Sequence, residues 1–204
     1  MVRVKICGVR TVAEALQAAE AGADAIGLNF WRRSPRYVEP AAAERIVAAL
    51  PPFVAAVGVF VGAPAEWIRQ VAERCRLAAL QLHGEVPAGT LGRPVIRPLQ
   101  VRGRESLEAI PRLAGDWLLL DGHAEGLPGG TGRRFDWRLA LEARALAGGR
   151  PIILAGGLTP ETVAEAVALA RPDAVDVASG VESAPGVKDP DKVARFVRAA
   201  KGGA

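Results

Sequence analysis

The chain has 204 residues, half of them hydrophobic and 5% aromatic, with a formal net charge of +4. That length suits one domain, and the apolar fraction excludes a disordered chain. The cations are mostly Arg, scattered and not interleaved with aromatics, which argues against a nucleic-acid partner; an anionic small molecule suits the same sign.

Two cysteines, Cys7 and Cys75, are too few for a disulfide framework. The first residues, M-V-R-V-K-I-C-G, lack a signal-peptide apolar block, and no apolar run has the length of a membrane span. A cytoplasmic chain without membrane contact is therefore expected.

Short β-branched or Leu-rich runs alternate with Ala-rich amphipathic stretches. Strands are predicted to start near Val2, Ala25, Val54, Ala78, Val95, Trp117, Pro151 and Ala174. Each interval can hold a strand, a helix and two loops. Thr11 should cap a first helix running through Ala21, with Glu14 completing a capping box. Pro40, Pro64 and Pro160 should open the second, third and seventh helices, and Asp189 or Pro190 the last, which runs towards Lys201. The fourth unit, around G-E-V-P-A-G-T-L-G-R, is short and Gly-rich. The pattern predicts a single-domain (β/α)8 TIM barrel over residues 1–204, a closed parallel sheet of eight strands. An open doubly wound sheet would more often carry a G-x-G-x-x-G loop after its first strand, and Cys7-Gly8-Val9-Arg10 lacks one.

Period-two alternation sorts each strand into two faces. Val2, Val4 and Ile6 should pack on helices, leaving Arg3, Lys5 and Cys7 inside the barrel. By the same rule Leu80 and Leu82, Leu118 and Leu120, and Val175 and Val177 face out. Gln81, His83, Asp121 and Asp176 then face in, towards the C-terminal mouth where barrel enzymes place their chemistry. Two glycine-bearing loops follow the last two strands, Ala155-Gly156-Gly157-Leu158 and Ala178-Ser179-Gly180-Val181. These are the loops that build the common phosphate site of this architecture. A third, Gly129-Gly130-Thr131-Gly132, follows strand six.

Cys7 and Asp121 end strands three steps apart in a closed barrel, so a thiol and a carboxyl face each other across the mouth. Such a pair suits proton removal and donation from opposite sides of a substrate. Alone, Cys7 also fits a small core residue, and Lys5 either favours its thiolate or pairs with Asp176 as a structural bridge. His83 fits a proton carrier or a satisfied polar residue equally well. Arg36, in S-P-R-Y, can fork onto a carboxylate at the rim. Cys75 reads as helix packing, and His123 carries little weight. The His and Cys positions form no metal spacing.

Taken in order, several blocks resemble phosphoribosylanthranilate isomerases. They are V-K-I-C-G-V-R at 4–10, S-P-R-Y at 34–37, V-G-V-F-V at 57–61, L-Q-L-H-G at 80–84, L-L-L-D at 118–121, G-G-T-G-R-R-F-D-W at 129–137, A-G-G-L at 155–158 and V-D-V-A-S-G-V-E at 175–182. The resemblance implies the Amadori rearrangement of N-(5-phosphoribosyl)anthranilate in tryptophan biosynthesis. It implies Asp121 as general acid on the ribose ring oxygen and Cys7 as general base at C2. It further implies Arg36 on the anthranilate carboxylate, Gln81, His83 and Asp176 lining the cavity, and Gly130, Gly156, Gly157, Ser179 and Gly180 holding the phosphate. It implies no metal or organic cofactor. The chain departs from the family at Gly122-His123, where a hydroxyl residue is common after the acid.

Two alternatives frame this reading. The histidine-pathway isomerase runs the same chemistry on a related longer barrel with Asp at the end of strand one, where this chain has Cys7. A non-catalytic phospholigand barrel would keep the glycines but lose one of the proton-transfer pair. The sequence leaves a homodimer open, with exposed Phe53 or Trp31 read either as its patch or as a single ordinary surface hydrophobe.

Overall fold

The computed structural model describes residues 1–85, 91–122 and 136–202. The chain runs β1 (Arg3–Cys7), α1 (Val12–Glu20), β2 (Ala25–Asn29), α2 (Pro40–Ala49), β3 (Ala55–Val61), α3 (Ala65–Arg74) and β4 (Ala79–His83). It continues through β5 (Val95–Val101), a 3-10 helix (Arg104–Arg112), β6 (Trp117–Gly122), α4 (Leu139–Leu146), β7 (Ile152–Leu154), α5 (Val163–Ala170) and β8 (Ala174–Val177). A 3-10 turn (Ser179–Val181), the short strands β9 (Glu182–Ala184) and β10 (Val187–Lys188) and helix α6 (Pro190–Ala200) complete it. β1 to β8 are parallel and close into a barrel, with β1 bonded to both β2 and β8. The predicted TIM barrel is thus the observed fold, and every predicted strand start lies within a residue of the observed one.

Local chemistry explains most helix starts. Thr11 accepts a bond from the Glu14 amide, and the Glu14 carboxylate bonds back to the Thr11 amide, so both halves of the capping box form. Asp189 caps α6, its carboxylate accepting from the amides of Asp191 and Lys192. Pro40 occupies the first turn of α2, whereas Pro64 sits one residue before α3 as its cap. Pro160 does not open the seventh helix. A Thr159–Thr162 turn, with the Thr162 hydroxyl on the Thr159 amide, delays α5 to Val163. The link between β5 and β6 is a 3-10 helix containing Pro111, which removes an amide donor. The Gly-rich fourth segment, 84–93, lies in part at 86–90, outside the described residues.

The two faces of the strands separate into two apolar layers. Val4, Ile6, Leu80, Leu82, Leu118, Leu120, Val175 and Val177 join helix residues such as Ala15, Ile46, Ile68 and Phe196 in the outer core. Val57, Ile96, Leu119, Ile153, Ala155 and Ala174 fill the barrel interior. This apolar filling leaves the polar inward positions stacked above it, at the C-terminal end. Cys75 caps α3 and is buried, in keeping with a packing role. Among the described residues, no helix is long and apolar enough to cross a membrane.

Candidate active site

Strand alternation delivers the inward residues to one place. Cys7, Arg36, Gln81, His83, Asp121, Gly156, Gly157, Asp176, Ser179 and Gly180 all line one cavity of about 280 Å³ at the C-terminal mouth. Gly130 and His123 lie outside the described residues. Trp31 is not part of an exposed patch, since it lines this same mouth. Its backbone amide is held on the Asn29 side chain at 2.8 Å, which turns the loop after β2 inward.

Below the mouth, register decides the role of Lys5. It stands opposite Asp176 in the β1–β8 ladder, and Nζ lies 2.8 Å from Asp176 Oδ1 and 3.0 Å from Gln81 Oε1. All three side chains are buried. Burial pulls the Lys5 ammonium down, but Asp176 and then Cys7 outweigh it, and its pKa is raised. Lys5 therefore pairs with Asp176 and still faces the thiol.

Burial dominates at Cys7 and pushes the thiol above its ordinary value. Lys5 and Lys188 pull it down and Asp176 pushes it up. The resting group is a thiol in a field that two cations make favourable to its anion. The site also needs room: a methyl on Gly27 of the adjacent strand would lie 2.7 Å from Cys7 Sγ.

Across the mouth, Asp121 is 5% exposed on β6. Gly156, in the loop after β7, has φ +81°, and a Cβ there would come 2.2 Å from the Gly122 nitrogen and 2.8 Å from Asp121 Oδ1. Only glycine satisfies both the backbone angle and the approach, so the loop after β7 and the carboxyl are packed as one unit.

Arg36 lies in the loop after β2, across Gly8, where a Cβ would come within about 2.4 Å of its Cδ. Its guanidinium is gripped by Glu182 through two bonds, Nε to Oε1 at 2.7 Å and Nη2 to Oε2 at 2.8 Å. Lys188 Nζ reaches the same Glu182 Oε1 at 2.8 Å and the Ala178 carbonyl at 3.1 Å. The bond to Glu182 raises the Arg36 pKa. Burial works against the Glu182 carboxylate, but Arg36 and Lys188 more than offset it and lower its pKa. Burial lowers Lys188, with Glu182 opposing. Sequence reading gave no role to Glu182 or Lys188. Their one signal was Pro185-Gly186, a turn that folds β9 against β10 and returns Lys188 to Glu182.

The arrangement holds a thiol and a carboxyl on opposite sides of a cavity, glycine loops on one flank and a fixed guanidinium on another. It can bind a doubly anionic molecule and move protons at two separated atoms. Comparison with known proteins agrees with that chemistry. A model of the N-(5'-phosphoribosyl)anthranilate isomerase family matches residues 4–199. The isomerase of that name from Geobacter sp. (strain M21) is 51% identical over 204 residues, 98% of each chain. The crystal structure of phosphoribosyl anthranilate isomerase from Thermotoga maritima has a TM-score of 0.90 and 43% identity, covering 99% of this chain and 100% of that one. That enzyme is described as dimeric. A further isomerase structure, in complex with reduced 1-(o-carboxyphenylamino)-1-deoxyribulose 5-phosphate, has a TM-score of 0.86 and 42% identity, with 99% and 100% covered.

Proposed function

Because the chain belongs to the N-(5'-phosphoribosyl)anthranilate isomerase family, whose reaction in tryptophan biosynthesis it catalyses, we propose that Asp121 and Cys7 divide the two proton transfers of that rearrangement. The observation that carries the assignment is that both groups line one cavity from β6 and β1, with the glycine loops of β7 and β8 beside them.

In this mechanism Asp121 gives its proton to the ribose ring oxygen. The C1–O bond breaks, and the nitrogen lone pair forms the C1=N bond of a Schiff base. Cys7, as thiolate, takes the proton from C2. The C–H electron pair becomes the C1=C2 bond, and the C1=N pair returns to nitrogen, giving an enolamine. Loss of the C2 hydroxyl proton and protonation at C1 then give the ketone. Gly156, Gly157, Ser179 and Gly180, with Gly130, hold the phosphate. Arg36, its fork fixed by Glu182, receives the anthranilate carboxylate on its remaining N–H groups. Gln81, His83 and Asp176 complete the wall.

The same reading makes residues 1–204 one catalytic domain that works without metal or organic cofactor in the cytoplasm, a reducing compartment suited to the free thiols of Cys7 and Cys75. Its partners are the anionic substrate and a second copy of the chain. Met1 and Phe53 are 99% and 95% exposed, at the strand ends opposite the mouth, and offer an apolar contact for that copy. Sedimentation of the parent beside Phe53→Glu tests it; a dimer is expected only in the parent.

The activity is tested by generating phosphoribosylanthranilate in situ and following its fluorescence after adding purified protein. Rapid loss is expected. Bound but unconverted substrate would instead favour a non-catalytic phospholigand barrel.

A further inference from the structure

The polar chain beneath the mouth fixes more than position. Lys5 Nζ can only donate, and it does so to Asp176 Oδ1 at 2.8 Å and to Gln81 Oε1 at 3.0 Å. An ammonium has no lone pair, so the Gln81 amide must turn its oxygen to Lys5 and its nitrogen away. That nitrogen lies 3.0 Å from His83 Nε2. An amide nitrogen also only donates. Nε2 must then be the acceptor, and the proton of a neutral ring is left on Nδ1. We propose that the Asp176–Lys5–Gln81 chain imposes the Nδ1–H tautomer on His83, which serves the substrate as a neutral hydrogen-bond donor and not as a proton carrier.

Three observations support the assignment. The orientation runs in one direction from a single anion, Asp176, and no member of the chain can reverse without placing donor against donor. The charged groups acting on the ring are Lys5 from β1 and Arg97 from β5, both cations. With burial first, they push the His83 pKa down to about 4, so a second ring proton is disfavoured. Finally, His83 lines the substrate cavity, and the one side-chain bond its ring makes among the described residues is at Nε2. Nδ1–H is left for an acceptor oxygen of the bound molecule. The inference rests on the reading of this cavity as the substrate site.

The test is long-range proton–nitrogen correlation spectroscopy on protein labelled with 15N-histidine. His83 and His123 are the only histidines, so loss of one spin system in His83→Asn assigns the other. The parent should show a protonated Nδ1 and a pyridine-type Nε2, unchanged between pH 8 and pH 6. Adding the reduced product analogue should shift the Nδ1–H signal. Gln81→Glu, which offers the ring an acceptor, should move the proton to Nε2 or add a second one. In turnover, His83→Asn keeps an N–H donor near Nδ1 and should retain kcat/KM within about tenfold, whereas His83→Ala should lose about a hundredfold. An Nε2–H tautomer in the parent, a ring titrating near its ordinary value, or a signal unmoved by the analogue would overturn the proposal. So would equal losses in the two His83 variants. The tautomer is read without turnover, so its failure is distinct from failure of the isomerase assignment, which the fluorescence assay reads.

Discussion

The thiol of Cys7 is governed by opposed neighbours. Burial raises its pKa, Lys5 and Lys188 lower it, and Asp176 raises it again. The proposed base works deprotonated, so kcat/KM should climb with pH above neutrality. Asp176→Asn removes a raising influence and leaves Lys5 facing the thiol, so the climb should move to lower pH. A pH profile that stays put or moves to higher pH would contradict this account of the thiol. Arg36 depends on Glu182 in a different way, since two bonds hold the fork before any carboxylate arrives. Glu182→Gln should raise KM by about tenfold and change kcat less, because it loosens binding more than chemistry. His83 makes a stability prediction. Its folded pKa of about 4 lies below the ordinary 6.5. A neutral buried ring contributes fully above the ordinary value, and the contribution is lost as pH falls from there through the folded value. The loss is on the order of 3 kcal/mol. Denaturant titrations of His83→Asn against the parent should therefore converge between pH 6.5 and pH 4.

Between elements, Glu14 joins what sequence reading kept apart. The capping box was legible because Thr11 and Glu14 stand three residues apart at a helix start. The other Glu14 oxygen, however, accepts from the Lys188 amide at 3.0 Å, across 174 residues of sequence. The N-terminus of α1 thereby props the β9–β10 hairpin that carries Glu182 and Lys188. Glu14→Ala should cost about 1 to 2 kcal/mol in denaturant titrations. It should also raise KM, whereas Thr11→Ala should cost about 1 kcal/mol and leave KM alone. Strands were legible from period-two alternation, and Pro40 and Asp189 marked their helices because proline and caps act locally. Pro160 misled because the Thr159–Thr162 side-chain bond holds a turn that proline alone does not announce. The 3-10 link before β6 was likewise hidden, since its residues allow helix and Pro111, late in the segment, withholds a single amide donor.

At the level of the molecule, closure of β1 onto β8 sets Lys5 beside Asp176 and carries Cys7 to the rim opposite Asp121. Most of the site was legible because a barrel converts strand position into angular position, and alternation converts parity into inside or outside. Glu182 and Lys188 escaped because they follow the last strand, where no period applies and only the folded hairpin brings them to Arg36. The account stands most directly on the claim that Cys7 and Asp121 act as separate base and acid. It is tested by single-turnover fluorescence of phosphoribosylanthranilate with the parent, Cys7→Ala and Asp121→Asn, each checked for folding. Both variants should slow conversion by about a hundredfold to ten-thousandfold while still binding the substrate. A folded variant of either kind that converts substrate within about tenfold of the parent would contradict the assignment of that residue.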